Sequence, residues 1–446
     1  MIELRKEGLQ QKEGGVDQLL KRRIYNAVFL LGFALCLVPG PLPQLTTYAS
    51  ILLVLCAAGS FFDENFYLYA ALFLYMRYRM LIGDTPAFRI YSYLVVLRFV
   101  LDLPKTKFRA AYFPALFVFL LHSIFAMPQV ESLRIGLNVI VDCALIYIIL
   151  LKVLEQPQLF RKFIYAFLLG GIASGVYGWT NTEVAVDINV AGAGAHTVHR
   201  NFGALSDSNF AGLFYSLCVI CSIEVKGIPV WLRCVLAAAF GVMLLQTASI
   251  SALGVLAALS ILYVILRYRA KSVIILTAAF LVLVVVVAVV LVTPQLREIE
   301  AIAGLIIRIQ EKLSYIPRGR WDLFTTDRAA IWGEAMEIFA NKGLAGQLFG
   351  GDVVTVMSID ENVLPIACHN SYIQALLNFG VLGTLAIYLP LLGVFAYRLM
   401  GHFSQPKGYE TEDIKILQIL FNFAFLVFGL TVDFYIDWPF MMFYFI

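Results

Sequence analysis

Charge is scarce in this 446-residue chain. Asp, Glu, Lys and Arg together make up 14% of it, against 61% hydrophobic residues. A soluble protein of this length needs far more charge to keep its surface wet, which excludes a soluble globular enzyme. A disulfide framework is missing too. Of the seven cysteines, Cys36, Cys56, Cys143, Cys218, Cys221 and Cys234 lie in or beside apolar runs, and only Cys368 borders a polar segment. Cys218 and Cys221 have CxxC spacing but no second pair, and read as small buried thiols. The chain has no Walker loop, no GxGxxG and no HExxH, so no cofactor and no metal are expected. Internal repeats are absent, as is the alternation in ten-residue strands that a membrane β-barrel needs. The first 24 residues are polar and the first apolar run meets no small-residue cleavage site, so no removable signal is expected. A net charge of +3 says little, and no nucleic-acid partner is expected.

What the chain does hold is apolar sequence in long blocks. Ser272–Val292 runs 21 residues without a charge, and Ile373–Tyr397 is another such run. About 20 apolar residues cross a bilayer. Spans are expected near 25–40, 46–62, 66–82, 88–104, 109–127, 134–152, 160–178, 209–224, 232–247, 250–266, 272–292, 371–397 and 414–433. The expected fold is therefore all-α, a polytopic transmembrane bundle of about 12–14 helices with one long, partly helical extracytoplasmic loop. Residues 1–24 form a cytoplasmic segment, and 25–446 the transmembrane domain with outer loops 179–208 and 294–368. Basic residues set this orientation, because they crowd the N-terminus and alternate loops such as 105–109, 152–162 and 267–271. The outer loops before residue 294 carry only Arg89, Arg134 and Arg200. Segment 294–368 is an exception, with Arg308, Arg318, Arg320, Arg328 and others; long loops translocate regardless of charge.

Within that loop, Ile299, Ile302, Ile306, Ile309 and Leu313 recur at helical spacing, with Arg308 and Glu311 between them. Such an amphipathic helix either lies at lipid headgroups or packs on the rest of the loop. A second helix is expected to start at Thr326 or Asp327 and to align Arg328, Trp332, Ala335 and Phe339 on one face. A guanidinium beside free helix amides suits an anion, although a solvated arginine is the plain alternative. His369 stands where the loop enters a span. On a straight helix Gly380 lies about 20° from it and Gly383 about 40° to the other side, so the glycines are expected to let a neighbouring helix close in beneath the histidine. An imidazole there is either structural or a proton carrier near neutral pH. Charges also fall inside spans. Arg77 and Arg79 can snorkel to headgroups, whereas Arg98 is better read as functional, or as paired with Asp102. Asp433 and Asp437 flank an outer span end.

The stretch HNSYIQALLNFGVLGT (369–384) resembles the His-x10-Gly-x-x-Gly motif of the bacterial O-antigen ligase/polymerase superfamily. DRAAIW and FANKGLAGQLFGG resemble the Arg-started helix and Gly-rich turn before that motif. SDSNFAGLFYSL and LQTASISALGVLAAL resemble its Asp-x-Asn and Thr-x-Ser-Arg segments. Three departures stand out: Trp332 where ligases usually have Leu, Lys342-Gly343 where proline is usual, and Ile250 where arginine is usual.

The resemblance implies an inverting, metal-independent glycosyltransferase in the bacterial cytoplasmic membrane, working in surface polysaccharide assembly. Its donor would be a glycan on undecaprenyl pyrophosphate and its acceptor a glycan or lipid, with membrane lipids around it and a flippase and chain-length regulator as candidate partners. Arg328 is then the first candidate to hold the leaving pyrophosphate, with Arg200, Arg318 and Arg320 as helpers. His369 is the candidate base and Asp207 a second one. Asn209 and Asn370 are candidates to hold sugar hydroxyls, and Arg98 remains a candidate within its span. Polymerase and ligase share this donor chemistry; the Trp332 departure tilts the reading to polymerase. A polysaccharide or lipid transporter or flippase is the rival class, but transporters place polar groups near the midplane, whereas this chain gathers them in outer loops.

Overall fold

The computed structural model describes residues 20–21, 23–32, 43–60, 81–82, 85–102, 141, 144–145, 148, 158–181, 183–190, 194–205, 207–320, 324–325, 328–350, 356–357, 365–366, 368–408 and 411–431. The spans expected at 66–82, 109–127 and 134–152 lie largely outside these residues. So do Cys36, Cys143, Arg77, Arg79, Asp433 and Asp437. Among the described residues the chain is predominantly helical, with α1 (Pro43–Ser60), α2 (Ala87–Asp102) and α3 (Gln158–Asn181), then a β-hairpin of β1 (Glu183–Val190) and β2 (Gly194–Asn201). After it come α4 (Ser208–Glu224), α5 (Val230–Gln246), α6 (Ile250–Tyr268) and α7 (Ser272–Val292). The long polar segment holds α8 (Glu300–Tyr315), α9 (Arg328–Asn341) and α10 (Leu344–Phe349), and the chain continues through α11 (Ser371–Phe403) and α12 (Glu412–Phe428).

Two stretches are long and apolar enough to cross a membrane, Leu159–Trp179 and Ile250–Val292. The second is not one rod. Its 43 residues as straight helix would run about 65 Å, twice the thickness of a bilayer's apolar core. The chain breaks at Arg269, whose φ is +50°, and so divides it into α6 and α7. Thr47–Ala58, Ser208–Glu224 and Val230–Gln246 are apolar and shorter. The core lies around α4, which is buried along nearly its whole length. Phe214 of α4 meets Phe167 of α3 edge to face at 4.8 Å, and Phe167 meets Phe421 of α12 at 5.4 Å. Such pairs add about 0.5–1.5 kcal/mol beyond area burial.

One end of the bundle is closed by ion pairs. Asp413, buried on α12, takes both Nε and Nη2 of Arg161 at 3.1–3.3 Å and stands 3.4 Å from Lys226. Arg267 of α6 reaches Glu412 at 2.7 Å and Glu224 at 3.7 Å. These bonds tie α3, α4, α6 and α12 together at that end. A buried carboxylate left unpaired there would be strongly destabilising.

Two expectations need correction. The 179–208 segment is not plain loop: β1 and β2 pair antiparallel from Glu183↔Asn201 to Val190↔Gly194. In β1 the β-branched residues Val184, Val186, Ile188 and Val190 occupy every second position, the period of a strand. Eight residues are too few for a barrel strand but enough for a hairpin. The run at 371–397 is not a single straight span either. Gly380 has φ +65° and ψ −173°, and α11 breaks there. In a straight helix Tyr372 and Tyr388 would sit about 24 Å apart along the axis. Their ring centroids are 4.5 Å apart, so the halves of α11 fold back on each other.

The fold-back changes what the glycines do. Gly383 faces back across the bend, since an added Cβ would strike Phe379 just before the break. Gly380 faces the end of α10, where an added Cβ would lie 2.5 Å from Gly350 N. Gly350 mirrors it, with φ +80° and ψ −159° and the Asn378 carbonyl where its Cβ would be. Both occupy a backbone region open essentially to glycine alone. The expected helix packing beneath His369 is thus replaced by a backbone-to-backbone contact between α10 and the bend of α11.

Candidate functional site

At the bundle end away from the ion pairs, helix caps are wired to one another. Asp207 starts α4 by accepting at Oδ1 from the amides of Asn209 (2.7 Å) and Phe210 (3.3 Å). Asn209 accepts at Oδ1 from the Ser249 hydroxyl (2.7 Å). Ser249 in turn caps α6 through the Ala252 amide (3.2 Å). The Asp-x-Asn segment and the Thr-x-Ser turn therefore form one unit. Arg200, on β2, donates from Nε to the Thr247 carbonyl of that turn (3.0 Å). Val198 shares Arg200's strand face and packs with Ala248 and with Ile307 of α8. Gly304 of α8 comes close enough to the hairpin that a Cβ would lie 3.0 Å from Val198. The amphipathic helix thus packs on the hairpin, while Ile299, Ile309 and Leu313 stay exposed.

α9 brings in the next group. The Thr325 hydroxyl accepts from the Ala329 amide (3.2 Å) at its start; the expected caps Thr326 and Asp327 lie outside the described residues. Ile331 and Ala335 pack with Cys368 and Leu377. The Trp332 indole donates to the Cys368 carbonyl (2.9 Å), and the Gln374 side chain accepts from the Cys368 amide (3.1 Å). Asn370 caps α11 through the Tyr372 and Ile373 amides, and the Ser371 amide donates to Gly429 O just past the end of α12 (2.7 Å). His369 is fixed between these clamped neighbours at φ +49°, the left-handed region in which His is enriched among non-glycine residues. Trp332→Phe is expected to keep the packing but remove the indole's hydrogen bond to the Cys368 carbonyl. A loss of about 1–2 kcal/mol should follow, readable as a lowered unfolding temperature.

The groups converge electrostatically. Burial, and then the Arg308 charge, pull Arg200 down to about 10, with Asp207 opposing and Arg328 adding to the fall. Arg328 is lowered by burial and by Arg308, against the pull of Asp207. Burial and then Arg328 lower His369 below the usual imidazole value, while Asp207 opposes. At neutral pH the site therefore holds a neutral imidazole beside three guanidinium groups and one carboxylate. Like charges gathered in a partly dry place repel one another, and an anion placed among them relieves that cost.

The structure brings His369, Arg328, Arg200 and Asp207 together, with Asn209 adjoining them through Ser249. Asn370 lies next to His369, but its side chain is committed to the caps and to the Leu430 carbonyl (3.4 Å). Arg318 and Arg320 are exposed just past α8, and Arg98 is exposed on α2; none of the three is among the charges acting on His369, Arg200 or Arg328. Arg308 is the residue that sequence reading left on the polar side of an amphipathic helix. Gly304, one turn before it, was the available signal, because a helical glycine marks a close approach. Among the described residues no group of three or more His, Cys, Asp or Glu is placed to hold a metal ion.

No curated protein matches the chain. Residues 234–388 match the family model described as O-antigen ligase. The match runs from α5 into the second half of α11 and includes Arg308, Arg328 and His369, while Arg200, Asp207 and Asn209 precede it. Over residues 234–388, this membrane protein is thus similar to the O-antigen ligase family, in the part of the chain that carries Arg328 and His369.

Proposed function

We propose that the chain is a polytopic glycosyltransferase of the bacterial cytoplasmic membrane that extends a surface polysaccharide. It moves a glycan from undecaprenyl pyrophosphate to a sugar hydroxyl at the outer face. The observation that carries this reading is the meeting of a lowered-pKa histidine with clustered arginines at the bundle end opposite the ion pairs. His369, neutral at physiological pH, takes the proton of the acceptor hydroxyl. The freed oxygen attacks the anomeric carbon from the side opposite the leaving group. The bond to the pyrophosphate breaks, and the departing oxygen keeps the electron pair. Arg328 and Arg200 stabilise that charge where it develops. Asn209 orients a sugar hydroxyl, and Asp207 holds the arginines and the histidine in one field.

Complementation tests the reading. In cells lacking the gene, single repeat units in the mutant and a ladder restored by the wild type support polymerisation. Long chains that stay on the lipid carrier identify a ligase. Unchanged glycan length and attachment sink the glycosyltransferase reading and favour transport.

The pH profile gives a second check. Activity that needs neutral His369 is full above its lowered pKa and falls as pH drops through it. Asp207 raises that pKa, so Asp207→Asn, which can still cap α4, is expected to move the acidic limb of kcat/KM to lower pH. A limb that stays put would remove His369 or Asp207 from this role.

A further inference from the structure

Among the described residues, Arg308 is held by packing rather than by an ion pair. The residue before it, Ile307, sits against Val198 and Ala248. Gly304, one turn back, presses on Val198 as well. Arg200 starts from the same place, two residues beyond Val198 on one strand face, and its Nε is fixed on Thr247, the residue before Ala248. The two arginines are therefore anchored to the same hairpin and the same turn. Arg308 acts on both Arg200 and Arg328, so it stands within reach of each. Its Nε is enclosed and has no hydrogen-bond partner among the described residues. A half-buried guanidinium with an enclosed, unmet Nε donor, set beside two others, is a costly arrangement unless a multivalent anion completes it.

We infer that Arg308 is a third phosphate-binding residue of the site, gripping the diphosphate of the lipid-linked donor together with Arg200 and Arg328. This rests on the reading of the donor given above. A diphosphate spreads its charge over two phosphoryl groups, and three forks from three elements can address both. The amphipathic helix then has a definite task. Its packed face carries Arg308 to the donor, and its exposed Ile309 and Leu313 lie along the same helix. The closest acid by helical spacing is Glu311, whose Oε2 is likewise enclosed without a partner; bracing α8 against Glu311 is the structural alternative for Arg308.

The test uses the full chain in lipid nanodiscs, with binding of undecaprenyl pyrophosphate compared with that of undecaprenyl phosphate. Arg308→Ala is expected to weaken pyrophosphate binding about tenfold, with Arg308→Lys losing less and the unfolding temperature unchanged. The preference for pyrophosphate over monophosphate should shrink in the same variants. Arg308→Gln replaces the alanine variant if that one does not fold. Wild-type affinity in Arg308→Ala beside weakened binding in Arg328→Ala overturns the role of Arg308 and leaves the proposed function standing. A lowered unfolding temperature with unchanged affinity overturns it in favour of the bracing role. If the wild type itself does not bind the pyrophosphate, this inference and the proposed function fail together.

Discussion

Replacing His369 or Arg328 with Ala is expected to stop glycan extension while leaving the protein folded in the membrane. On the proposed mechanism the two losses have different causes. Without His369 the acceptor hydroxyl must shed its proton to water, and losing a positioned base typically costs about 10²–10⁴-fold in rate. Without Arg328 the departing pyrophosphate loses a donor aimed at its developing charge, a deficit of about 10²–10³-fold. Neither residue is needed to hold the fold. The Cys368 backbone and the Asn370 cap fix the loop around His369, and α9 is anchored by Ile331 and Ala335 on Cys368 and Leu377. Surface polysaccharide sizing, alongside thermal unfolding of each purified variant, separates these effects. Arg328→Lys should retain part of the activity, because charge is kept while the fork is lost. Normal polysaccharide from either alanine variant would take that residue out of the mechanism.

Gly380→Ala is expected to be the most damaging single substitution outside the site. A side chain at φ +65° and ψ −173° is strained by about 1–3 kcal/mol. The added Cβ would also lie 2.5 Å from the Gly350 amide nitrogen and the Leu348 carbonyl carbon. Those are backbone atoms that cannot turn away as a side chain would, and overpacking of this kind costs about 1–3 kcal/mol more. The sum is a large part of the stability of an ordinary domain. The variant should unfold at a markedly lower temperature or fail to accumulate. Gly383→Ala meets Phe379 across the bend but carries no positive-φ strain, and is expected to be milder. Equal stability in the two variants would show that the fold-back does not depend on Gly380.

The arginines of the candidate site and those of the ion-paired end differ in their partners. At the ion-paired end, Arg161 and Arg267 each face a carboxylate at 2.7–3.3 Å, so their charge is neutralised within the protein. At the site end, Arg200 gives its Nε to a carbonyl and the Nε of Arg308 meets none of the described residues, so on the proposed reading positive charge is left over for a ligand. The distinction is invisible along the chain, where both kinds are arginines near apolar helices.

The sequence by itself determined that this is a helical membrane protein, because scarce charge and uncharged runs such as Ser272–Val292 have no stable place in water. It also determined which family to expect, because His369 and Gly380 stand at fixed spacing and the helix before them starts with an arginine. It pointed to His369, Arg328, Arg200 and Asp207 one at a time. Only the tertiary structure decided that they meet, since 169 positions separate Arg200 from His369 in the numbering and local pattern carries no distance across such a gap. The hairpin was written in the alternation of Val184, Val186, Ile188 and Val190, but its role in carrying Arg200 to Thr247 depends on long-range packing. Asn370 looked free for a sugar and is spent on capping α11, because the buried start of a helix must satisfy its amides. The helical wheel placed Gly380 beneath His369, but a wheel assumes an unbroken helix, and this glycine is the residue that breaks it.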